Sequence, residues 1–122
     1  MDTVSHRPNV IVFIPHDLGD HLGCYGHRTV KSPHIDQLAS EGVRFSNNFT
    51  AAPECTPSRA GMLTGLYTHQ NGLMGLCHRG WELYPDALHL GQRLWQAGYE
   101  THLFGFQHET GMSLPIFLVP AT

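Results

Sequence analysis

The chain has 122 residues, of which 41% are hydrophobic and 14% are charged, and its formal net charge is −3. This length and composition predict one globular domain with a modest core. The small negative charge argues against nucleic acid or an anionic membrane surface as a partner. No apolar stretch is long enough to span a bilayer, and residues 1–7 do not resemble a signal peptide. We therefore expect no membrane partner and a cytoplasmic location by default.

The cysteines and histidines restrict the kinds of functional site that the chain could form. Cys24, Cys55 and Cys77 are an odd number without C-x-x-C spacing, which predicts neither a disulfide framework nor a structural zinc site. Ten histidines are many for this length. Because histidine titrates near neutral pH, they favour a polar active site, although most of them are expected at the surface or in loops.

The first predicted element is a buried strand. Residues 9–14 (NVIVFI) are a continuous apolar run rich in β-branched residues, typical of a strand covered on both faces of a parallel sheet. Ligands collect at the carboxyl ends of such strands, so His16 and Asp17, which follow at once, are candidates for chemistry. A helix is then predicted from Pro33, in its first turn, to a stop at Gly42.

Strands and helices continue to alternate along the chain. The predicted elements are a strand at residues 43–49, a helix at 57–63, a helix at 86–97 and a strand at 99–106. This alternation predicts an α/β layered fold. Residues 111–122 do not fit it, because the segment is apolar and broken by two prolines. It indicates a truncated domain, with a short terminal strand as the alternative.

A reactive cysteine is the strongest chemical candidate. Cys55 lies at the start of a predicted helix, where backbone N–H groups and the helix dipole favour an oxyanion. Arg59 follows four residues later, on or just inside the first helical turn, close enough to support the same group. From these five residues alone, a buried and inert cysteine before a capped helix explains the pattern equally well.

Residues 55–59 (C-T-P-S-R) resemble the C-x-P-S-R core of the type I sulfatases, in which that cysteine is oxidised to formylglycine after translation. The blocks that extend the resemblance are residues 7–10, 16–19, 22–26, 32–39 with 41–45, and 59–65. A five-residue match is weak, but ordered blocks around it are specific. The pattern at residues 69–72 and 75–76 is closest to the sulfamidase (heparan N-sulfatase) branch.

The resemblance implies a fold, an extent and an activity. The fold is α/β, the N-terminal part of an alkaline-phosphatase-like layered sheet with flanking helices, here incomplete. Residues 1–122 would be an N-terminal fragment of a sulfatase catalytic domain, with a matching region of about 7–109 and a divergent tail at 110–122. The implied activity is hydrolysis of a sulfuric ester or an N-sulfate.

The resemblance also implies site residues. His108 keeps a histidine that contacts sulfate, whereas Phe106 replaces a family lysine. Asp17 matches the second of two adjacent carboxylates that bind calcium, and His16 stands where the first would be. Calcium prefers oxygen ligands, so His16 predicts either an altered metal shell or another residue or water in its place. The formylglycine from Cys55 would also contact the Ca²⁺ or other divalent cation.

The implied chemistry uses the formylglycine hydrate. One of its two geminal hydroxyls attacks sulfur, and the second then helps to expel sulfate by breaking the C–O bond, which restores the aldehyde. Arg59 would stabilise the hydrate and the oxyanion of the transition state. The implied partners are a sulfated small molecule or glycan and a formylglycine-generating or anaerobic sulfatase-maturing enzyme. Since the family's further metal ligands lie downstream, we expect the isolated chain to be inactive.

Three alternative functions compete with this interpretation. A cysteine-dependent phosphatase needs five residues between Cys and Arg and a loop rich in N–H donors, whereas Cys55 and Arg59 are separated by three residues and Pro57 removes a donor. A phosphoester or phosphonate hydrolase of the same superfold is not separable from a sulfatase by sequence. A non-catalytic truncated sulfatase-like protein is also compatible with the pattern.

Overall fold

The computed structural model describes residues 7–109, and the divergent tail expected at residues 110–122 lies outside this range. The helices within it are α1 (Pro33–Glu41), α2 (Cys55–Thr64), α3 (Thr68–Asn71) and α4 (Leu90–Gln96), with 3-10 turns at Gly23–Tyr25 and Cys77–Arg79. The chain forms two compact units, a first unit (Met1–Asn47) and a second unit (Asn48–Thr122). No helix among the residues described is long and apolar enough to cross a membrane.

The three predicted strands are not formed by residues 7–109, in which no strand occurs. The side chains of Ile11, Phe13, Phe49 and Phe104 in these runs are 90%, 79%, 87% and 89% exposed. A strand persists only when its N–H and C=O groups pair with a neighbouring strand. The apolar runs supply the propensity for strands but no such neighbour, so the layered sheet expected from the sequence is not present in this part of the chain.

In the first unit, α1 begins and ends where local chemistry predicts. Pro33 lies in its first turn, and the N–H of Gly42 closes it by donating to the Leu38 carbonyl at 3.0 Å. The N-cap Ser32 does not cap its own helix. Its hydroxyl donates to Asp36 Oδ1 at 2.9 Å and accepts from the Gly23 N–H at 2.8 Å, which ties the preceding turn to α1.

The same carboxylate explains a glycine in this turn. Asp36 Oδ1 also accepts from the Cys24 N–H at 2.7 Å. A Cβ on Gly23 would collide with the Asp36 carboxylate, so no other residue fits there without displacing it. The turn Gly23–Tyr25 is therefore held against α1 by hydrogen bonds to the Ser32 hydroxyl and to the partly buried Asp36 carboxylate.

The buried core of the described residues lies in the second unit. One face of α2 is buried along a helical stripe that consists of Thr56, Pro57, Ala60, Gly61 and Thr64. Helix α2 packs against α3 and α4, and Ala60, Leu73 and Cys77 form the apolar centre.

A fully buried amide replaces a further apolar residue in this centre. Asn71 Nδ2 donates to Thr64 Oγ1 and to the Leu66 carbonyl, both at 3.3 Å, and its Oδ1 accepts from the Leu73 N–H at 2.9 Å. Because each polar atom has a partner, the desolvation of Asn71 is offset. The amide joins α3 to the end of α2.

Two helix boundaries differ from prediction. Helix α2 begins at Cys55 rather than at Pro57, so the cysteine is itself the first helical residue. Helix α4 begins at Leu90 rather than at residue 86, because His89 is its N-cap: His89 Nδ1 accepts from the Gly91 N–H at 3.2 Å, and Gln92 Oε1 accepts from the His89 N–H at 2.9 Å. Imidazole is an uncommon N-cap, which is why the sequence did not indicate it.

Candidate active site

Cys55 occupies the first position of α2, with a half-buried side chain. The N-cap Glu54 is extended (φ −93, ψ 154) and provides no side-chain cap, and its carbonyl accepts the first helical bond from the Ser58 N–H at 3.0 Å. The cysteine therefore lies at the positive end of the helix dipole, two residues before Pro57, which contributes no N–H. This position favours a negatively charged oxygen near residue 55.

Arg59 lies one helical turn beyond Cys55. The i, i+4 spacing places the two side chains on the same face of α2. The Arg59 side chain is half-buried, and within residues 7–109 it forms neither a hydrogen bond nor an ion pair. A guanidinium with unused donors beside a helix N-terminus is suited to bind an oxyanion.

His108 is held by its backbone rather than by its ring. Its N–H donates to Glu109 Oε2 at 3.0 Å, and its carbonyl accepts from the Cys77 thiol at 3.6 Å. The ring stacks on His78, with centroids 6.0 Å apart and planes 9° apart. Its Nδ1 is buried and has no hydrogen-bond partner among the residues described. A buried ring nitrogen without a partner indicates a place where a further polar group belongs.

Phe106 brings an apolar ring to this histidine instead of a cation. The rings of Phe106 and His108 are 5.0 Å apart at 52°, and the Phe106 side chain is 66% exposed. The surface beside His108 is therefore aromatic at the position where the sequence resemblance predicts a lysine.

His16 and Asp17 form an exposed pair in the first unit. His16 Nδ1 lies 3.1 Å from Asp17 Oδ2, with the side chains 50% and 82% exposed. Asp17 has a left-handed backbone (φ 52), which aspartate tolerates better than most residues. The Asp17 carboxylate is a suitable ligand for a hard cation such as Ca²⁺, whereas the His16 imidazole suits borderline metals better.

Two buried side chains of the second unit were not among the predicted site residues. Cys77 is 9% exposed and contacts both Thr56 and His108. His89 is 1% exposed, and burial lowers the pKa of its imidazole from 6.5 to about 4. Ten histidines make any one of them an unremarkable residue in a sequence, and only packing distinguishes His89 from the others.

Comparison with known proteins identifies the family. The profile of the Sulfatase family matches residues 8–114. Rat steryl-sulfatase is 41% identical over 110 residues, covering 83% of this chain and 19% of the relative. The N-acetylgalactosamine-6-O-sulfatase of Bacteroides thetaiotaomicron is 39% identical over 107 residues, covering 85% and 21%. Human N-sulphoglucosamine sulphohydrolase is 38% identical over 106 residues, covering 84% and 21%.

These matches assign the chain to a family, but they cover only a small part of each relative. The chain spans about a fifth of the length of these relatives. No solved structure matches it significantly. The three identities lie within a few per cent of each other and do not assign a branch. Because the family profile covers most of the chain, this chain belongs to the sulfatase family.

Proposed function

We propose that the protein to which this chain belongs hydrolyses sulfuric esters or N-sulfates by means of a formylglycine made from Cys55. The observation that carries this proposal is the placement of Cys55 at the first position of α2, with Arg59 one turn away on the same face. Family membership supports the same activity, since the matched relatives are named sulfatases and a sulphohydrolase.

The residues of the second unit have separate roles in this proposal. Formylglycine at position 55 supplies, as its hydrate, the hydroxyl that attacks sulfur. Arg59 binds the oxygen charge that develops beside it, because its guanidinium is half-buried and its donors are not used by residues 7–109. His108 donates to a sulfate oxygen from a ring whose orientation is restricted by His78 and Phe106.

The metal part of the proposal rests on the ligands that the resemblance to the family implies. Asp17, His16 and the modified Cys55 would hold a divalent cation. When bound, such a cation neutralises sulfate charge and polarises the attacked group. The Asp17 carboxylate fits Ca²⁺, but the imidazole of His16 does not, so we propose either another divalent cation or Ca²⁺ with an oxygen ligand in place of His16.

The proposed substrate is a sulfated small molecule or glycan. An N-sulfated sugar is the finer proposal, from the likeness of residues 69–72 to the sulfamidase branch. Further metal ligands and sulfate contacts of the family lie outside the stretch matched here. Turnover is therefore expected from a protein that carries them, and no turnover from residues 1–122 by themselves. A phosphate ester is the competing substrate, since the same groups can bind either oxyanion.

Co-expression with a formylglycine-generating enzyme tests the central step. The peptide containing Cys55 should lose mass on conversion of the thiol to an aldehyde, and an aldehyde-specific probe should label it. Cys24 and Cys77, predicted to be structural thiols, are internal controls in the same digest, and Cys55→Ala is the matched negative control. An unmodified Cys55 beside a fully converted control sulfatase would argue against the proposal.

A further inference from the structure

Cys77 joins two segments that are far apart in sequence. The Thr56 hydroxyl donates to Cys77 Sγ at 3.7 Å, and the Cys77 thiol donates to the His108 carbonyl at 3.6 Å. Thr56 is 21 residues from Cys77, and His108 is 31 residues beyond it. Thr56 directly follows Cys55, so this link leads from the start of α2 to the backbone of His108.

Sulfur suits this place because it is large. A thiol is a weak donor and a weak acceptor, and its contacts are longer than those between oxygen atoms. The two separations of 3.6 and 3.7 Å would be too long for a serine hydroxyl in the same position. One sulfur atom can therefore contact both Thr56 and His108, whereas an oxygen atom in the same position could not.

Burial raises the free-energy cost of losing these weak contacts. Thr56 is fully buried and Cys77 is 9% exposed. Water does not readily replace a lost partner at such a site, so removal of the thiol leaves the Thr56 hydroxyl unsatisfied. Breaking the contacts among Thr56, Cys77 and His108 would therefore cost free energy, which favours keeping the three residues together.

We propose that Cys77 and Thr56 are positioning residues that set His108 relative to the helix start at Cys55. This inference rests on the proposed function, in which the modified Cys55 and His108 act on one sulfate. Neither residue touches the reacting atoms. Cys77 acts through the His108 carbonyl, and Thr56 acts through Cys77.

The test measures the reactivity of individual histidines in the full chain. Diethylpyrocarbonate modifies accessible imidazoles, and mass spectrometry of the peptides gives a rate for each. His89 in the same unit is 1% exposed and serves as the reporter of unfolding. Thr56→Val keeps the shape and removes the hydroxyl, Thr56→Ser keeps the hydroxyl as its matched control, and Cys77→Ala removes the thiol.

The expected result is selective. Thr56→Val and Cys77→Ala each raise the His108 rate by about fivefold while His89 stays protected. In the double variant with Thr56→Val and Cys77→Ala, the His108 rate is no higher than in Cys77→Ala alone, because Thr56 acts on His108 only through Cys77. Thr56→Ser stays within about twofold of the parent. An unchanged His108 rate, a parallel rise at His89, additive effects, or a His89 that already reacts quickly in the parent chain would each overturn the proposal.

Sodium sulfate separates this proposal from the proposed function. If sulfate slows modification of His108 in the parent, the two variants should need more sulfate for half-protection, an effect that a purely structural role would not produce. Equal half-protection in parent and variants would overturn the positioning role. If sulfate does not protect the parent but the selective acceleration is observed, the sulfate site fails and the positioning of His108 stands.

Discussion

Protonation of His89 should destabilise the second unit at mildly acidic pH. The imidazole is 1% exposed, and burial lowers its pKa from 6.5 to about 4. The unfolded chain therefore binds the proton first as the pH falls. The stability contributed by neutral His89 is complete above pH 6.5 and is lost as the pH falls from 6.5 toward 4.

The size of the effect follows from the two pKa values. Across the whole interval the loss is about 3 kcal/mol, at 1.36 kcal/mol per pKa unit. Between about pH 7.5 and about pH 5.5 it is about 1.3 kcal/mol, which exceeds the uncertainty of a urea denaturation series. Because most carboxylates remain ionised in this narrower window, they contribute little to the difference.

The matched control is His89→Asn. Asparagine is a good N-cap and can accept from the Gly91 N–H, as the imidazole does, but it does not titrate. The urea midpoint of the parent should fall between the two pH values, and that of the variant should fall much less. The slope of free energy against urea should be the same for both.

A direct measurement of the pKa completes the assay. Exchange of the imidazole C2 hydrogen, followed by mass spectrometry at low protein concentration, gives a titration curve for each histidine. His89 should titrate near 4. The reasoning is refuted if His89 titrates near 6.5, or if His89→Asn shows the same pH dependence as the parent.

Three further predictions follow from burial and exposure. Asn71→Ala removes three buried hydrogen bonds and should lower the free energy of unfolding by about 2 to 3 kcal/mol, measured by urea denaturation; a change below about 0.5 kcal/mol would contradict the core described here. The exposed Ile11, Phe13 and Phe104 should make the chain bind an apolar dye and self-associate in size-exclusion chromatography, and lysine at these positions should reduce both; a monomeric chain that binds no dye would count against it. Arg59→Ala should weaken protection of His108 by sulfate at least about tenfold, whereas Arg59→Lys should weaken it less, and equal protection would remove Arg59 from the site.

Helix boundaries were largely predictable because their signals are local. Proline in the first turn and glycine at the end mark α1, and Pro57 and Gly65 mark α2 to within two residues. Each signal acts through the dihedral angles and the N–H of one residue, so it does not depend on the rest of the fold. The relative placement of Cys55 and Arg59 was predictable for the same reason, since an i, i+4 relation is a property of one helix.

The predicted strands are not formed within residues 7–109, and this difference has a physical cause. Residues 9–14 have the composition of a buried strand, yet Ile11 and Phe13 are exposed and no ladder forms in residues 7–109. A helix satisfies its own backbone, but a strand needs a second segment whose position no local pattern specifies. Strand propensity was therefore readable from the sequence, whereas strand pairing was not.

The sequence by itself determined the family, the candidate cysteine Cys55 and the helix on which it lies. Only the tertiary structure decided which of the ten histidines is buried, that His108 has a buried Nδ1 without a partner in the described range, and that Cys77 links Thr56 to His108. These features join residues 21 and 31 positions apart and depend on the exclusion of water. Motifs record chemistry within a few residues, whereas burial is a property of all the segments that pack around a side chain.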